Sequence, residues 1–317
     1  MVEDTEYKSL KAKFDIYYEQ KILPQLELLE QKRKKKLHTF CFLVLSVIIW
    51  CFFCLYQFMI NSSGVHNVPL YLDTVGCVLI LLCCYPMLSY YRQNKENLLP
   101  LLAGFFGNFN YSYQKKIPDD ILSYSKIIKK YDKITTDDSF EGQYEGIFVD
   151  ITEYTLFKRR YVNNGKNMRV IYNKNGQGVL FRAQMNKNFS GQTIVVKDKG
   201  VLNKLTHYTK LQRVGLESVE FEKSFEVYSN SQIEARYILT TVMLEYMLQA
   251  KKIFPNITFS FFNKEIIINI ETNKDLFECS SFFHSIINKK RIEKIFTEFY
   301  YLFAIIKTLH LNQKQLL

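Results

Sequence analysis

Two apolar runs that fill most of Phe40–Tyr91 constrain the fold more than any other feature. The first, Phe40–Ile60, has no charged residue, while the second, Tyr71–Tyr91, carries Asp73 near its start and Pro86 near its end. As a helix, each run can cross a hydrocarbon core of about 30 Å, where a helix satisfies its own backbone hydrogen bonds. The runs therefore predict two transmembrane helices; the alternative is two core helices of a soluble protein.

Basic residues flank the two runs but are absent from the connector between them, residues 61–70. Short segments rich in Lys and Arg remain on the cytoplasmic side of a membrane. The sequence therefore predicts a multi-pass protein of the inner membrane with both termini in the cytoplasm and a short outer loop. The flanking residues are Lys32, Arg33, Lys34, Lys35, Lys36, Arg92 and Lys95.

The chain is predicted to have three parts. Residues 1–39 are a cytosolic head helix with a basic run, residues 40–91 are the two spans, and residues 92–317 are a cytosolic domain. The predicted fold class is α+β: a transmembrane helical hairpin followed by an antiparallel sheet flanked by helices. The sheet is indicated by apolar and polar residues that alternate from Tyr144 onward and by two turn signals, Asn164-Gly165 and Asn175-Gly176.

The C-terminal half predicts two further elements. A helix over Ser231–Ile253 begins at a capping box, in which Ser231 is the N-cap and Glu234 follows three residues later. Ile233, Tyr237, Leu244 and Leu248 would form its apolar face. A β-hairpin follows, with its strands at Ile257–Phe262 and Glu265–Ile270 and its turn at Asn263-Lys264.

Composition narrows the classes of partner and cofactor. The net charge of +11 suits a domain beside an anionic membrane leaflet. No helix or strand other than Lys32–Lys36 concentrates basic residues, so nucleic acid is not a predicted partner. All cysteines except Cys279 lie in the apolar runs, and the five histidines are isolated, so no disulfide framework, metal site or cofactor is predicted.

The most specific motifs of the C-terminal half are Leu216-Glu217, Phe221-Glu222-Lys223, Val227-Tyr228-Ser229 and Glu234-Ala235-Arg236-Tyr237. With other motifs over most of the chain after the apolar runs, they resemble the bacterial domain of unknown function 3137. One departure is Ser231, where family members have an acid, although both are good N-caps. The resemblance implies a two-span membrane protein with no established activity, no catalytic residues to carry over, and a loose association with the small membrane-anchored LemA proteins.

Polar residues in these motifs are the candidates for a site that binds a ligand or a partner. In a functional interpretation several of them gather around a pocket, where the planar guanidinium of Arg236 holds a carboxylate. In a structural interpretation each is a cap, an ion-pair partner or a strand-end anchor. The candidates are Glu217, Glu222, Tyr228, Glu234 and Arg236.

Enzyme motifs are missing: the sequence has no Gly-rich phosphate loop and no GxSxG nucleophile elbow. The pair Asp137-Asp138 could help to hold a cation, or could be an ordinary turn. The sequence therefore predicts a membrane-anchored interaction or scaffold module rather than an enzyme. Two alternatives remain: a ligand-sensing or enzymatic domain with a pocket near Glu217, Glu222 and Arg236, and a protein that binds the lipid surface.

Overall fold

The structure is a computed structural model that describes residues 2–60, 70–163, 168–198, 211–273, 277 and 281–314. Its internal contacts divide the chain into two compact units. Unit 1 comprises Met1–Leu102 and Cys279–Ile292, and unit 2 comprises Ala103–Glu278 and Glu293–Leu317. The predicted boundaries at residues 39 and 91 stay predictions.

Unit 1 is built on long helices. Helix α1 (Val2–Tyr17) continues through a π-helical turn (Tyr18–Ile22) into α2 (Leu23–Ile60), and α3 (Leu70–Ala103) follows. The π-helical turn ends two residues before Pro24, which has no backbone N–H to donate to the turn before it.

Two stretches are long and apolar enough to cross a membrane. They are Thr5–Gln57 and Val75–Ala103, whose most apolar 18-residue windows have mean hydropathies of 2.4 and 1.5. None of the most apolar part of the first stretch is buried within the chain, and only 17% of the second is. Exposed apolar surface of this size suits association with a membrane.

An ion pair is buried in unit 1 where the sequence predicted membrane-flanking charge. Arg33 binds both carboxylate oxygens of Glu30, at 2.6 and 2.9 Å, and donates to the Phe282 carbonyl at 2.9 Å. The Ile286 N–H donates to the same carboxylate at 3.1 Å. The bond from Arg33 holds the pKa of Glu30 below its usual value. Arg33 therefore faces protein, whereas Lys32, Lys34 and Lys35 are exposed.

Unit 2 contains, in its described residues, a seven-stranded antiparallel sheet, which confirms the α+β part of the predicted fold class. Insertion of the apolar helices into a membrane stays a prediction. The strands pair in the order β1-β2-β3-β4-β6-β5, and β7 pairs with β4. They are β1 (Asn108–Tyr113), β2 (Lys133–Tyr144), β3 (Ile147–Asn163), β4 (Met168–Lys197), β5 (Gln212–Val214), β6 (Phe225–Ser229) and β7 (Ile257–Glu271).

Strand β7 folds back on itself, as the predicted hairpin requires. Asn263 has a φ of +54°, and the Glu271 N–H donates to the Asn256 carbonyl at 3.2 Å. The Thr258 hydroxyl donates to the Asn269 carbonyl at 3.4 Å. Since these partners lie at opposite ends of β7, its two halves must run side by side.

Two predicted turns differ from the structure or lie outside it. Asn175-Gly176 is not a turn, because it lies inside β4, at a bulge opposite β3. Asn164-Gly165 falls outside the described residues. A turn that the alternating pattern concealed lies at Glu145-Gly146, where both residues have positive φ and join β2 to β3.

The predicted helix over Ser231–Ile253 is two helices. Thr240 caps a second helix, because its hydroxyl accepts from the Met243 N–H at 3.4 Å. Ile233 and Tyr237 are exposed, so the predicted apolar face is wrong for that part.

The helices of unit 2 are α4 (Asp119–Ser125), α5 (Val219–Glu222), α6 (Gln232–Ile238) and α7 (Thr241–Ile253), with the part of α8 (Lys289–Lys314) from Glu293 onward.

Both faces of the sheet are covered by apolar side chains. On one face, Phe299 of α8 lies 5.8 Å from Phe140, and Phe303 lies 5.8 Å from Phe181, between ring centroids. On the other face, Ile121 and Leu122 of α4 belong to a core cluster with sheet residues from β3, β4, β6 and β7. The helices at the β5–β6 end of the sheet therefore lie next to a packed apolar core.

Candidate functional site

A cleft of about 420 Å³ opens at one end of the sheet, between the loop after β5 and helices α6 and α7. Arg236 is exposed on α6, and Glu217 is exposed on the loop opposite. Arg236 comes within 3.5 Å of the Gly215 carbonyl, at the limit of a hydrogen bond. Two of the five candidate residues therefore meet in one cleft. Its other lining residues include Glu220, Glu245, Leu239, Thr240, Leu244 and Leu248.

The charges in this cleft are unequal. Three carboxylates, those of Glu217, Glu220 and Glu245, face one guanidinium, that of Arg236. The floor is apolar, since Leu239 and Leu244 are buried there. Such a surface attracts a positively charged group that has an apolar neighbour.

Exposed apolar residues lie beside the cleft, and the sequence analysis did not identify them. Val219 precedes the lining residue Glu220 on α5, and Val242 follows Thr241 on α7. Val219 is 68% exposed and Val242 is 50% exposed. A signal was present in the sequence: both are apolar residues in the first turn of a short amphipathic helix, next to polar ones.

Glu222 shapes the loop rather than lining the cleft. Its carboxylate accepts the backbone N–H of Leu216 at 2.8 Å. This bond fixes the loop that carries Glu217. Among the residues that the structure describes, neither Glu217 nor Glu222 forms an ion pair with Arg213 or Arg236.

Glu234 joins α6 to a bend in β4. Its side chain accepts the N–H groups of Ser190 at 2.7 Å and Gly191 at 2.6 Å. Ser231 caps the helix as predicted, by accepting the Glu234 N–H at 3.4 Å. The carboxylate does not complete the capping box, because the Ser231 N–H donates to the Ser229 hydroxyl instead.

Tyr228 is a core residue with a satisfied hydroxyl. It is 8% exposed, and its hydroxyl donates to Glu226 at 2.8 Å. Of the five candidates, the structure thus brings Glu217 and Arg236 together in the cleft and places Glu222, Glu234 and Tyr228 in supporting positions.

Three acidic residues form a second cluster, at β2 and β3. Carboxylate oxygens of Asp137, Asp138 and Glu153 all lie within 4.8 Å of one another. Asp138 is fully buried and accepts the Tyr111 hydroxyl at 2.7 Å. Carboxylates in this number suit a hard divalent cation. All three residues also interact with other groups of the chain.

Comparison with known proteins identifies a family for part of the chain. No curated protein matches it. Among solved structures, the crystal structure of the mycobacterial trehalose monomycolate transport factor A, TtfA, aligns with a TM-score of 0.33 and 11% identity over 62% of this chain and 88% of that one. So distant a likeness carries no functional argument. A family model described as "Protein of unknown function (DUF3137)" matches residues 175–311. The match covers less of the chain than the motifs suggested, but it includes the most specific motifs and every residue that lines the cleft. We therefore assign residues 175–311 to the family of domains of unknown function 3137.

Proposed function

We propose that this protein is a membrane-anchored interaction module whose cleft binds a segment of a partner protein. The two apolar stretches support an anchor, because their surface is exposed within the chain. The exposed residues Lys32, Lys34, Lys35 and Arg92 support a cytoplasmic position for both termini. The domain that includes residues 175–311 would then act in the cytoplasm, at the inner membrane.

The chemistry of the cleft is the observation that carries this proposal. Three carboxylates, one guanidinium and an apolar floor lie together, with Val219 and Val242 exposed beside them. A peptide segment with a Lys or Arg next to apolar side chains would match both the charge and the apolar surface. Arg236 would fix the register of the segment by binding a carboxylate or a backbone carbonyl of the partner.

The partner is expected to be membrane-associated. An anchored domain meets other anchored proteins at a raised effective concentration, so a modest cleft is enough for specific binding. A LemA-type protein, which the family resemblance implied, is one candidate of this kind.

Site-specific photo-crosslinking in living cells tests the proposal on the full chain. Benzoylphenylalanine replaces Val242 at the cleft or, as a control, Tyr124, which is 62% exposed on α4. We expect one discrete adduct from position 242 and none of that mass from position 124. The adduct should weaken at least several-fold when Glu217→Gln and Glu245→Gln remove two of the cleft carboxylates.

The controls separate binding from folding. Asp120→Asn removes an exposed carboxylate outside the cleft and should leave the adduct intact. Equal adducts from positions 242 and 124, or an adduct that survives in the doubly substituted cleft, would contradict the proposal.

A small zwitterionic ligand, with a cationic group for the three carboxylates and a carboxylate for Arg236, is the second candidate occupant. The cleft volume of about 420 Å³ falls within the range of small-molecule sites, and Arg236 offers a group that binds a carboxylate. A ligand that raises the melting temperature of the intact protein, with the rise lost in Arg236→Ala, would favour this function over protein docking.

A further inference from the structure

A two-stranded arm extends from the sheet at the β3–β4 connection. It consists of Phe157–Asn163 of β3 and Met168–Lys174 of β4, which pair with each other in register. Strand β2 stops pairing at Phe157, and β7 begins to pair only at Gly178. No described strand therefore covers either edge of the arm, and most of its residues are exposed.

One face of the arm is mostly apolar. Side chains alternate between the two faces of a strand, and Tyr161 pairs with Val170 while Arg159 pairs with Tyr172. The register places Tyr161, Met168, Val170 and Tyr172 on the same face, which also carries Arg159 and Lys174. Exposures of 56% for Tyr161 and 70% for Met168 show that the structure leaves this face open to solvent.

The opposite face carries three of the five described cations of the arm. Its register pairs are Lys158 with Asn173, Arg160 with Ile171 and Val162 with Arg169. The sequence from Phe157 to Lys174 contains no acidic residue. Among the described residues, no carboxylate forms an ion pair with Lys158, Arg160 or Arg169, so their charge is available to an external anion.

We propose that this amphipathic arm binds an anionic lipid surface. Apolar and cationic side chains together are the chemistry by which interfacial segments hold acyl chains and headgroups. The long Lys and Arg side chains can bend towards the headgroups while the apolar face enters the interface. The uncovered strand edges restrict the arm to the headgroup region, because unpaired backbone groups cannot enter hydrocarbon.

A lipid surface fits the arm better than nucleic acid does. Phosphate backbones bind the cations but do not cover exposed aliphatic side chains such as Met168, Val170 and Ile171. The proposed anchor, moreover, keeps a bilayer within reach of this domain. The proposed membrane anchor supports only the choice of lipid over nucleic acid. Lipid binding by the arm does not depend on what the cleft binds.

Tryptophan fluorescence of the reconstituted full chain tests this inference. The chain has one tryptophan, Trp50, so Trp50→Phe combined with Val170→Trp places a single reporter on the arm. The protein is reconstituted in phosphatidylcholine vesicles with or without phosphatidylglycerol, both containing acyl-brominated lipid as quencher. We expect quenching at position 170 that increases with phosphatidylglycerol. A reporter made by Ile233→Trp, at an exposed residue of α6, should not be quenched.

Charge removal sharpens the test. Lys158→Gln, Arg160→Gln and Arg169→Gln together should shift the equilibrium between bound and free arm by about 100-fold towards the free state. The matched control removes three exposed cations elsewhere, by Lys126→Gln, Lys252→Gln and Lys264→Gln, and should change little. If the arm variant fails to fold, added salt in the unsubstituted protein must release the quenching instead, because salt screens these charges.

Three results would overturn the inference. One is equal quenching at positions 170 and 233, and another is equal quenching at position 170 in vesicles with and without phosphatidylglycerol. The third is a spectral shift at position 170 that only added single-stranded RNA produces, which would make the arm a nucleic-acid site.

Discussion

Replacement of Glu298 by glutamine should stabilise this protein above neutral pH and do little under acidic conditions. Glu298 lies on α8 and is 6% exposed. One carboxylate oxygen lies 3.5 Å from the Lys294 ammonium, whose side chain is largely in solvent. The other oxygen is buried without a hydrogen-bond partner among the described residues. Burial, only partly offset by Lys294, raises the pKa of Glu298 to about 7 from its usual 4.5.

The magnitude follows from proton linkage. The folded state binds this proton more tightly than the unfolded state, so the carboxyl costs no stability below pH 4.5. Stability is lost as pH rises from 4.5 through 7, and a shift of this size corresponds to about 3 kcal/mol. For a unit of this size that is a difference of roughly 6–12 °C in melting temperature.

The assay compares melting temperatures of the intact wild type and Glu298→Gln in mild detergent, from about pH 5 to about pH 9. The two curves should converge at the acidic end and separate progressively above neutral pH, with the variant more stable. Glu245→Gln, which removes an exposed carboxylate from α7, is the matched control. Parallel curves for wild type and Glu298→Gln would refute the reasoning.

Two further sets of substitutions test contacts, one set in each unit. Gly191→Ala would place a Cβ 2.4 Å from the Asn230 amide oxygen and 3.0 Å from the Glu234 carboxylate, so we expect a loss of about 1–3 kcal/mol by denaturant unfolding. Gly176→Ala, in the same strand with nothing nearer than 3.9 Å, should cost less, and equal losses would contradict this reading. Arg33→Met alone should cost about 3–5 kcal/mol because it leaves the Glu30 charge buried, and adding Glu30→Leu should recover part of that loss. If the Arg33→Met variant is as stable as wild type, the ion pair is not buried.

Local patterns predicted the elements that depend on neighbouring residues. The N-cap at Ser231 and the β7 hairpin at Asn263-Lys264 are confirmed, because a cap or a tight turn is decided within a few residues. The same reasoning missed the break at Leu239-Thr240. Thr240 is a good N-cap, but a continuous apolar pattern on either side concealed it.

The candidate site was predicted only in part. Glu217 and Arg236 were named from the family motifs, and the structure places them in one cleft. The acceptor role of Glu234 towards β4 could not be predicted, because its partners Ser190 and Gly191 lie more than forty residues earlier in the chain.

The sequence by itself determined the two apolar helices, the class of the C-terminal domain and its family. These properties follow from composition, periodicity and short motifs, which any segment carries independently of the rest. Only the tertiary structure decided which charges are buried and which remain exposed. It buries Arg33 in an ion pair with Glu30 and leaves Lys158, Arg160 and Arg169 on an open ribbon. The physical reason is that desolvation depends on which distant segments cover a side chain, and a local pattern does not contain that information.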